Sequence, residues 1–303
     1  PECAEMEDPL VSWSEIQDIE LVIVRRMQEF AIGTHPSMFH GTGYDLAGLR
    51  DWQPGDRLST IDWSQSSLTN FSPLIIREFN QQSNAPVVIT ADISQSTRCG
   101  VHGESIARII ARVVTTFAMA ASLFQDRVGL VTFDGDSRKL AVNTRIGKNH
   151  AIHCIQTYQN QLMESGANGS ERKVSFSGLL RKRSLVPVIS DFLCEEPYQL
   201  LDELADLNTF HDVFLVMIDS AFAFELPPFS AGWIQVYDAE TGKNRIMSAT
   251  ELEQLGSRVR KWQDMVEQAT HDRGLEVLRL DSKSQQFHDS LVKFLLERKR
   301  LTK

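Results

Sequence analysis

The run Pro86-Val-Val-Ile-Thr-Ala91-Asp92-Ile-Ser94-Gln-Ser96 decides how this chain is read. Pro86 to Ala91 form a short, nearly continuous apolar stretch that reads as a buried strand. Directly after it come one carboxylate and two hydroxyls at positions i, i+2 and i+4. Residues so spaced on an extended segment point the same way, so Asp92, Ser94 and Ser96 converge on a common point. In open parallel sheets the carboxyl ends of the strands form the ligand crevice, and the motif falls there. An all-oxygen site suits a hard cation. Magnesium fits best, with manganese second, because magnesium keeps several waters and needs only one or two protein carboxylates. A second acid, Asp191, ends the later strand Leu185–Ser190 and joins the first if the two strands are neighbours. The bland alternative is that Asp92 and the serines cap a turn or a helix. On the D-x-S-x-S pattern alone that alternative is the stronger.

Outward from this strand, short β-rich runs alternate with helical ones, the pattern of a parallel sheet covered by helices. Residues 104–124 place Ile106, Ile109, Ile110, Val113, Val114 and Phe117 on one broad helical face. Val128–Phe133 and Lys139–Asn143 flank the turn signal Asp134-Gly135-Asp136, which predicts an antiparallel edge. Helices follow near 148–163 and 197–208, with strands at 184–190, 213–218 and 275–280. The expected class is α/β, a mostly parallel doubly wound sheet flanked by helices. Three regions are expected: an N-terminal helical segment over 1–35, a small β-rich subdomain of 36–83 joined by 221–249, and the main domain of 84–220 plus 250–303.

With 40 acidic against 31 basic residues, the formal charge of −9 disfavours a protein that neutralises phosphate backbones. Arg181-Lys182-Arg183 and Arg298-Lys299-Arg300 read as a solvated loop and a cationic helix end. Cys3, Cys99, Cys154 and Cys194 show no metal-ligand or disulfide spacing, which suits reduced thiols in a cytoplasm. No apolar run is expected to approach the roughly 18 residues of a membrane span.

Several motifs carry a family resemblance: Phe39-His-Gly41-Thr-Gly43, Leu49-Arg50-Asp51-Trp52-Gln-Pro54-Gly55-Asp56, Ile61-Asp62-Trp63, Arg77-Glu78-Phe79, then the strand with D-x-S-x-S. His211-Asp-Val213 and Asp238-Ala-Glu-Thr-Gly242 extend it. With these, the chain resembles the bacterial family catalogued as domain of unknown function 58, of von Willebrand factor A-like fold. The resemblance implies a metal-ion-dependent adhesion site with Ser94 and Ser96 as direct ligands, Asp92 as ligand or water holder, and Asp191 as the later acid. It also implies a threonine from a separate loop; residues 170–183 hold no threonine, and Ser175 and Ser177 are the candidates there. The partners it implies are MoxR-type AAA+ ATPases, chaperone-like machines that remodel or assemble other proteins.

Residues 54–63 read as a turn followed by a strand with Trp63 packed beneath it, ahead of a recognition surface that includes Arg50, Asp56 and Asp62. No nucleophile elbow or phosphate-binding glycine loop is present, and His150 with His153 is an isolated H-x-x-H. The expectation is a non-enzymatic adaptor that bridges to a partner carboxylate through its metal. Two alternatives stand beside it: a structural scaffold with a degenerate, metal-free site, and a metal-dependent phosphohydrolase, for which Ser94 occupies the place of the second aspartate.

Overall fold

A computed structural model describes residues 9–33, 45–53, 61–68, 70–80, 86–101, 103–135, 137–164, 176–180, 182–194, 196–224, 233–237, 244–280 and 288–294. In chain order the elements are α1 (Trp13–Gly33), β1 (Asp45–Asp51), α2 (Trp63–Leu68), β2 (Ile75–Asn80), β3 (Val87–Asp92), β4 (Gly100–Val101), β5 (Glu104–Ser105), α3 (Ile106–Leu123), β6 (Val128–Asp134) and β7 (Ser137–Arg145). There follow α4 (Lys148–Glu164), α5 (Phe176–Leu179), β8 (Leu185–Ser190), α6 (Pro197–Asn208), β9 (Asp212–Ile218), β10 (Trp233–Tyr237), β11 (Asn244–Ser248), α7 (Ala249–Asp272), β12 (Glu276–Leu280) and a helix over 288–294. Two compact units emerge, one of Pro1–Arg26 with Ala85–Lys303 and one of Met27–Asn84.

The larger unit is built on a six-stranded sheet in the order β12-β9-β8-β3-β6-β7. Five strands run parallel; β7 returns antiparallel along the edge, as the Asp134-Gly135 turn predicted. From the central β3 the chain crosses to β6 on one side, and later comes back to β8 on the other. The C-terminal ends of β3 and β8 therefore flank the point where the strand order reverses, the place where such sheets open a crevice.

Alternation along each strand sends side chains to two opposite layers. Val88, Val186, Val188, Val213, Leu215 and Met217 pack with Leu200, Leu201 and Leu204 of α6 and Val266 of α7. On the opposite face α3 lies against the sheet, its Phe117 ring 5.9 Å from that of Phe214, which in turn meets Phe294 of the last helix at 5.2 Å. Each such fully buried side chain contributes roughly 1.5–3 kcal/mol. By length and apolar composition α3 is sufficient to cross a membrane, contrary to the expectation that no run reaches that length, but 83% of it is buried in this core. A helix apolar over most of its circumference, with Arg108 and Arg112 on the remaining stripe, is what a sheet covered by further helices requires.

Helix ends follow local rules. Ser12 and Glu15 cap α1 reciprocally, the Ser12 amide donating to Glu15 Oε2 at 3.0 Å and the Glu15 amide to Ser12 Oγ at 3.2 Å. Ser248 and Glu251 form the same box at α7. The segment 221–249, expected to join 36–83, belongs instead to the larger unit. Its strands β10 and β11 pair with each other, and Ser248 runs directly into α7. A Cβ added at Gly256 of α7 would meet Phe224 Cβ at 3.6 Å, so the 3-10 turn Ser220–Phe224 lies on that helix. The expected 1–35 segment is likewise divided, because α1 runs through the boundary after Arg26.

In the smaller unit β1 and β2 pair antiparallel. Ile61 bridges to Ile76, and Asp62 begins a short helix where a strand was expected. Trp63 is 60% exposed, not packed beneath a turn, because the helix start swings it outward.

The last helix is tied down by a bidentate contact of Arg26 with Asp289 and by His288, whose Nδ1 lies 3.0 Å from Thr116 Oγ. Burial, reinforced by the Arg112 charge, pushes the His288 imidazole down from 6.5 to about 4. Between those values the unfolded chain binds a proton that the folded chain refuses, so stability is present above 6.5 and lost as the pH falls. The loss from this group is expected to be on the order of 2–3 kcal/mol. Urea midpoints for His288→Leu and the parent chain, compared at about pH 4.5 and pH 7, check it: the variant should lose less on acidification.

Candidate functional site

Asp92 is the last residue of β3 and stands level with Phe133 of β6. Buried at 5% exposure, it accepts hydrogen bonds on both oxygens: Oδ1 from the Ser94 amide at 2.8 Å, Oδ2 from the Ser190 hydroxyl at 2.5 Å. The Tyr158 hydroxyl on α4 donates to the Asp92 carbonyl at 3.0 Å. Residues Gln95–Arg98 then wind into a 3-10 turn, which Thr97 locks by donating from Oγ1 to the Ser94 carbonyl at 2.6 Å.

The turn makes no use of the Ser94 side chain as a cap. Ser94 Oγ lies instead 3.0 Å from Ser96 Oγ. Oxygens at adjacent corners of a magnesium octahedron, with bonds of 2.0–2.1 Å at right angles, stand about 2.9 Å apart. The two hydroxyls thus have the spacing of two neighbouring ligands, and also that of a hydrogen bond. The bland reading holds for Oδ1 of Asp92, which closes a turn on the Ser94 amide, and fails for Ser94 Oγ.

Asp191 follows β8 and is 1% exposed; its Oδ1 accepts from the Leu193 amide at 3.1 Å. Ser190, the residue before Asp191, donates to Asp92 while its oxygen accepts from the Phe192 amide at 2.8 Å. Phe192 has φ of 56°, a left-handed conformation that costs a bulky residue on the order of 1–3 kcal/mol and persists only where surroundings over-determine it.

Negative charge is concentrated here. Burial raises the Asp92 carboxyl above the ordinary range, the bonds from Ser190 and Ser94 oppose the rise, and Asp134 adds to it. Asp134 is itself raised by burial and eased by Arg98. Burial and then the charges of Asp92 and Asp191 raise both the Tyr158 hydroxyl and the Cys194 thiol, the thiol to about 11. Cys194 at neutral pH is therefore a thiol and not a nucleophile. The oxygens that could hold a hard cation are Ser94 Oγ and Ser96 Oγ directly, with Asp92 and Asp191 as ligands or water holders. Among the described residues no three His, Cys, Asp or Glu side chains group to hold a metal, so a cation here depends on hydroxyls and water.

Asp92, Ser94, Ser96 and Asp191 all fall at the C-terminal ends of β3 and β8. Ser175 and Asp56 lie outside the described residues, as does the side chain of Ser177, whose backbone is in α5. Asp62 is 7% exposed and its Oδ1 accepts from the Ser64 and Gln65 amides at 3.0 and 3.2 Å. It caps α2, the structural role that the sequence favoured for this stretch. Arg50 Nη1 donates to the Asp51 carbonyl at 3.1 Å. His150 Nε2 contacts the Asn143 and Val128 carbonyls at 2.9 and 3.1 Å, which accounts for it structurally. Sequence reasoning missed Ser190 and Tyr158. Ser190 had a signal, a hydroxyl beside the predicted acid at a strand end; Tyr158 had none, since only folding brings α4 to β3.

A family model described as "Protein of unknown function DUF58" matches residues 48–285. Uncharacterized proteins of Mycobacterium bovis (strain ATCC BAA-935 / AF2122/97) and Mycobacterium tuberculosis (strain ATCC 25618 / H37Rv) are each 22% identical over 249 residues, covering 80% of this chain and 75% of theirs. Among solved structures, the PilB minor pilin from Streptococcus sanguinis is similar at a TM-score of 0.36 and 11% identity, over 76% of this chain. This chain spans 64% of the pilin's length.

Proposed function

We propose that this chain, which belongs to the DUF58 family, is a non-enzymatic binding module that holds a divalent cation between β3 and β8 and binds a partner's carboxylate through it. One observation carries the reading: Ser94 Oγ and Ser96 Oγ face each other at 3.0 Å beside the buried Asp92, at the switch point of the sheet. In this reading the fold is von Willebrand factor A-like and the cation is magnesium or manganese. Ser94 and Ser96 hold it directly, and Asp92 and Asp191 hold it directly or through water. When bound, the cation supplies an open coordination position for an anionic oxygen. The chain's own part is to present both hydroxyls on a locked turn, keep the carboxylates buried and exclude competing water. The partner proposed is a MoxR-type AAA+ ATPase or its client, which follows from the family resemblance.

A second reading, a metal-free scaffold, has its own observation. Both Asp92 oxygens are already hydrogen-bonded and one serine hydroxyl donates to the other, so the site closes on itself without a cation. The two readings separate in one experiment. Thermal unfolding with magnesium at 100 times its dissociation constant should show about 2.7 kcal/mol of added stability over chelator, roughly 5–10 °C for a unit of this size. Capture of an AAA+ ATPase or its client should follow the same dependence. No shift up to millimolar magnesium, with equal capture in chelator, would leave the scaffold. Phosphatase turnover would instead move the site to the hydrolase class.

A further inference from the structure

The loop that carries Asp191 is gripped from α7. Gln263, fully buried, donates from Nε2 to the Asp191 carbonyl at 2.9 Å, the Ile218 carbonyl at 2.8 Å and Ser220 Oγ at 3.2 Å. Its neighbour Trp262 donates from Nε1 to the Phe192 carbonyl at 3.0 Å. Two successive side chains thus hold two successive carbonyls, at the residue before and the residue in the left-handed turn. One carboxamide joins the C-terminal ends of β8 and β9 to a helix distant in sequence.

Packing alone gives no reason for a glutamine there. The other buried positions of α7 are Leu252, Gly256, Val266, Ala269 and Thr270, and the Thr270 hydroxyl bonds within its own helix to the Val266 carbonyl. A methionine at 263 would fill similar space without burying an amide. Among the described residues Gln263 Oε1 is buried with no hydrogen-bond partner, a cost that an apolar side chain avoids. What the carboxamide adds is a fixed loop: with the Asp191 and Phe192 carbonyls held, the Phe192 amide reaches Ser190 Oγ and the Leu193 amide reaches Asp191 Oδ1. The Ser190 hydroxyl is then oriented toward Asp92.

We infer that Gln263 and Trp262 are positioning residues for the crevice, setting the Asp191 side chain and, through Ser190, Asp92. The loop-holding part stands on geometry alone; the effect on cation affinity rests on the reading proposed above. The test uses the whole chain with Gln263→Met, which keeps volume and removes the donors, and Trp262→Phe, which keeps a ring and removes one N–H. Two quantities are read: hydrogen exchange at the Phe192 and Leu193 amides without metal, and the magnesium dissociation constant by calorimetry. Expected are at least roughly tenfold faster exchange at those two amides, with β3 and β9 amides unchanged, and 10–100-fold weaker magnesium binding, the usual cost of removing a hydrogen bond behind a ligand. Unchanged exchange in a folded variant overturns the inference, as does faster exchange with undiminished magnesium affinity. If the parent chain itself binds no magnesium, the cation reading fails and exchange alone decides the clamp. If Gln263→Met does not fold, Trp262→Phe decides by the same readouts.

Discussion

Asp92→Asn is expected to abolish the magnesium-dependent stabilisation while leaving the metal-free protein as stable as the parent, or more so. The two effects separate because Asp92 has two roles. As a buried carboxylate it is costly: burial raises its pKa, and Asp134 adds repulsion. The folded chain therefore binds a proton more readily than the unfolded chain, so this group's contribution declines as the pH rises from the ordinary aspartate range through the raised folded value. An asparagine removes that charge. It can still accept from the Ser94 amide, and it turns an amide toward Ser190 Oγ in place of the present 2.5 Å bond. As a ligand or water holder, however, a neutral amide contributes no charge to a hard cation, and the shift of about 2.7 kcal/mol at saturating magnesium should vanish. Asp92→Ala should lose both properties, since the Ser94 amide and Ser190 hydroxyl then lack their acceptor at roughly 1–3 kcal/mol. Thermal unfolding of the three proteins in magnesium and in chelator measures this. A full magnesium shift retained by Asp92→Asn would remove Asp92 from the cation site.

Arg138→Ala should destabilise the larger unit by about 3 kcal/mol, the low end for breaking a buried ion pair, with Arg138→Lys recovering part of it. The Arg138 side chain is 6% exposed and its Nη2 lies 3.1 Å from Glu203 Oε2 on α6. Nη1 donates to the Gly135 carbonyl in the β6–β7 turn. The guanidinium sits 4.7 Å from the Phe176 ring centroid and 5.9 Å from that of Phe133, contacts worth about 0.5–2 kcal/mol together with the ring packing. Glu203 spends its other oxygen on the Phe176 amide at 2.8 Å. One arginine thereby fastens the edge turn, α5 and α6 together. Lysine keeps the charge and loses the planar fork. Urea unfolding at neutral pH provides the comparison, and a midpoint equal to that of the parent chain would show that Phe133 and Phe176 hold α5 unaided.

The sheet was legible in the sequence because its signals are local. Val87–Asp92, Val128–Asp134 and Asp212–Ile218 are apolar runs of strand length between helical periodicities, and Asp134-Gly135 marks a turn wherever it occurs. The position of Asp92 at a strand end was legible, but the extended segment expected to align Ser94 and Ser96 with it is replaced by the 3-10 turn Gln95–Arg98, and that turn brings the two hydroxyls to 3.0 Å. Tertiary structure decided the rest. That β8 lies beside β3, so that Asp191 joins Asp92, is a property of strand order, which no short stretch encodes. Asp62 and Trp63 were misread because a helix of six residues carries too few turns to show a period. The segment 221–249 looks like 36–83 in composition, but it falls in the larger unit, where the turn Ser220–Phe224 packs on α7. Ser190, Tyr158, Arg138 and Gln263 acquire their roles from partners far along the chain, whose approach depends on two layers of helices closing on one sheet. Local pattern determined which elements form and which side chains share a face; the side chains that hold the crevice in shape were decided by contacts that exist only once the sheet is covered.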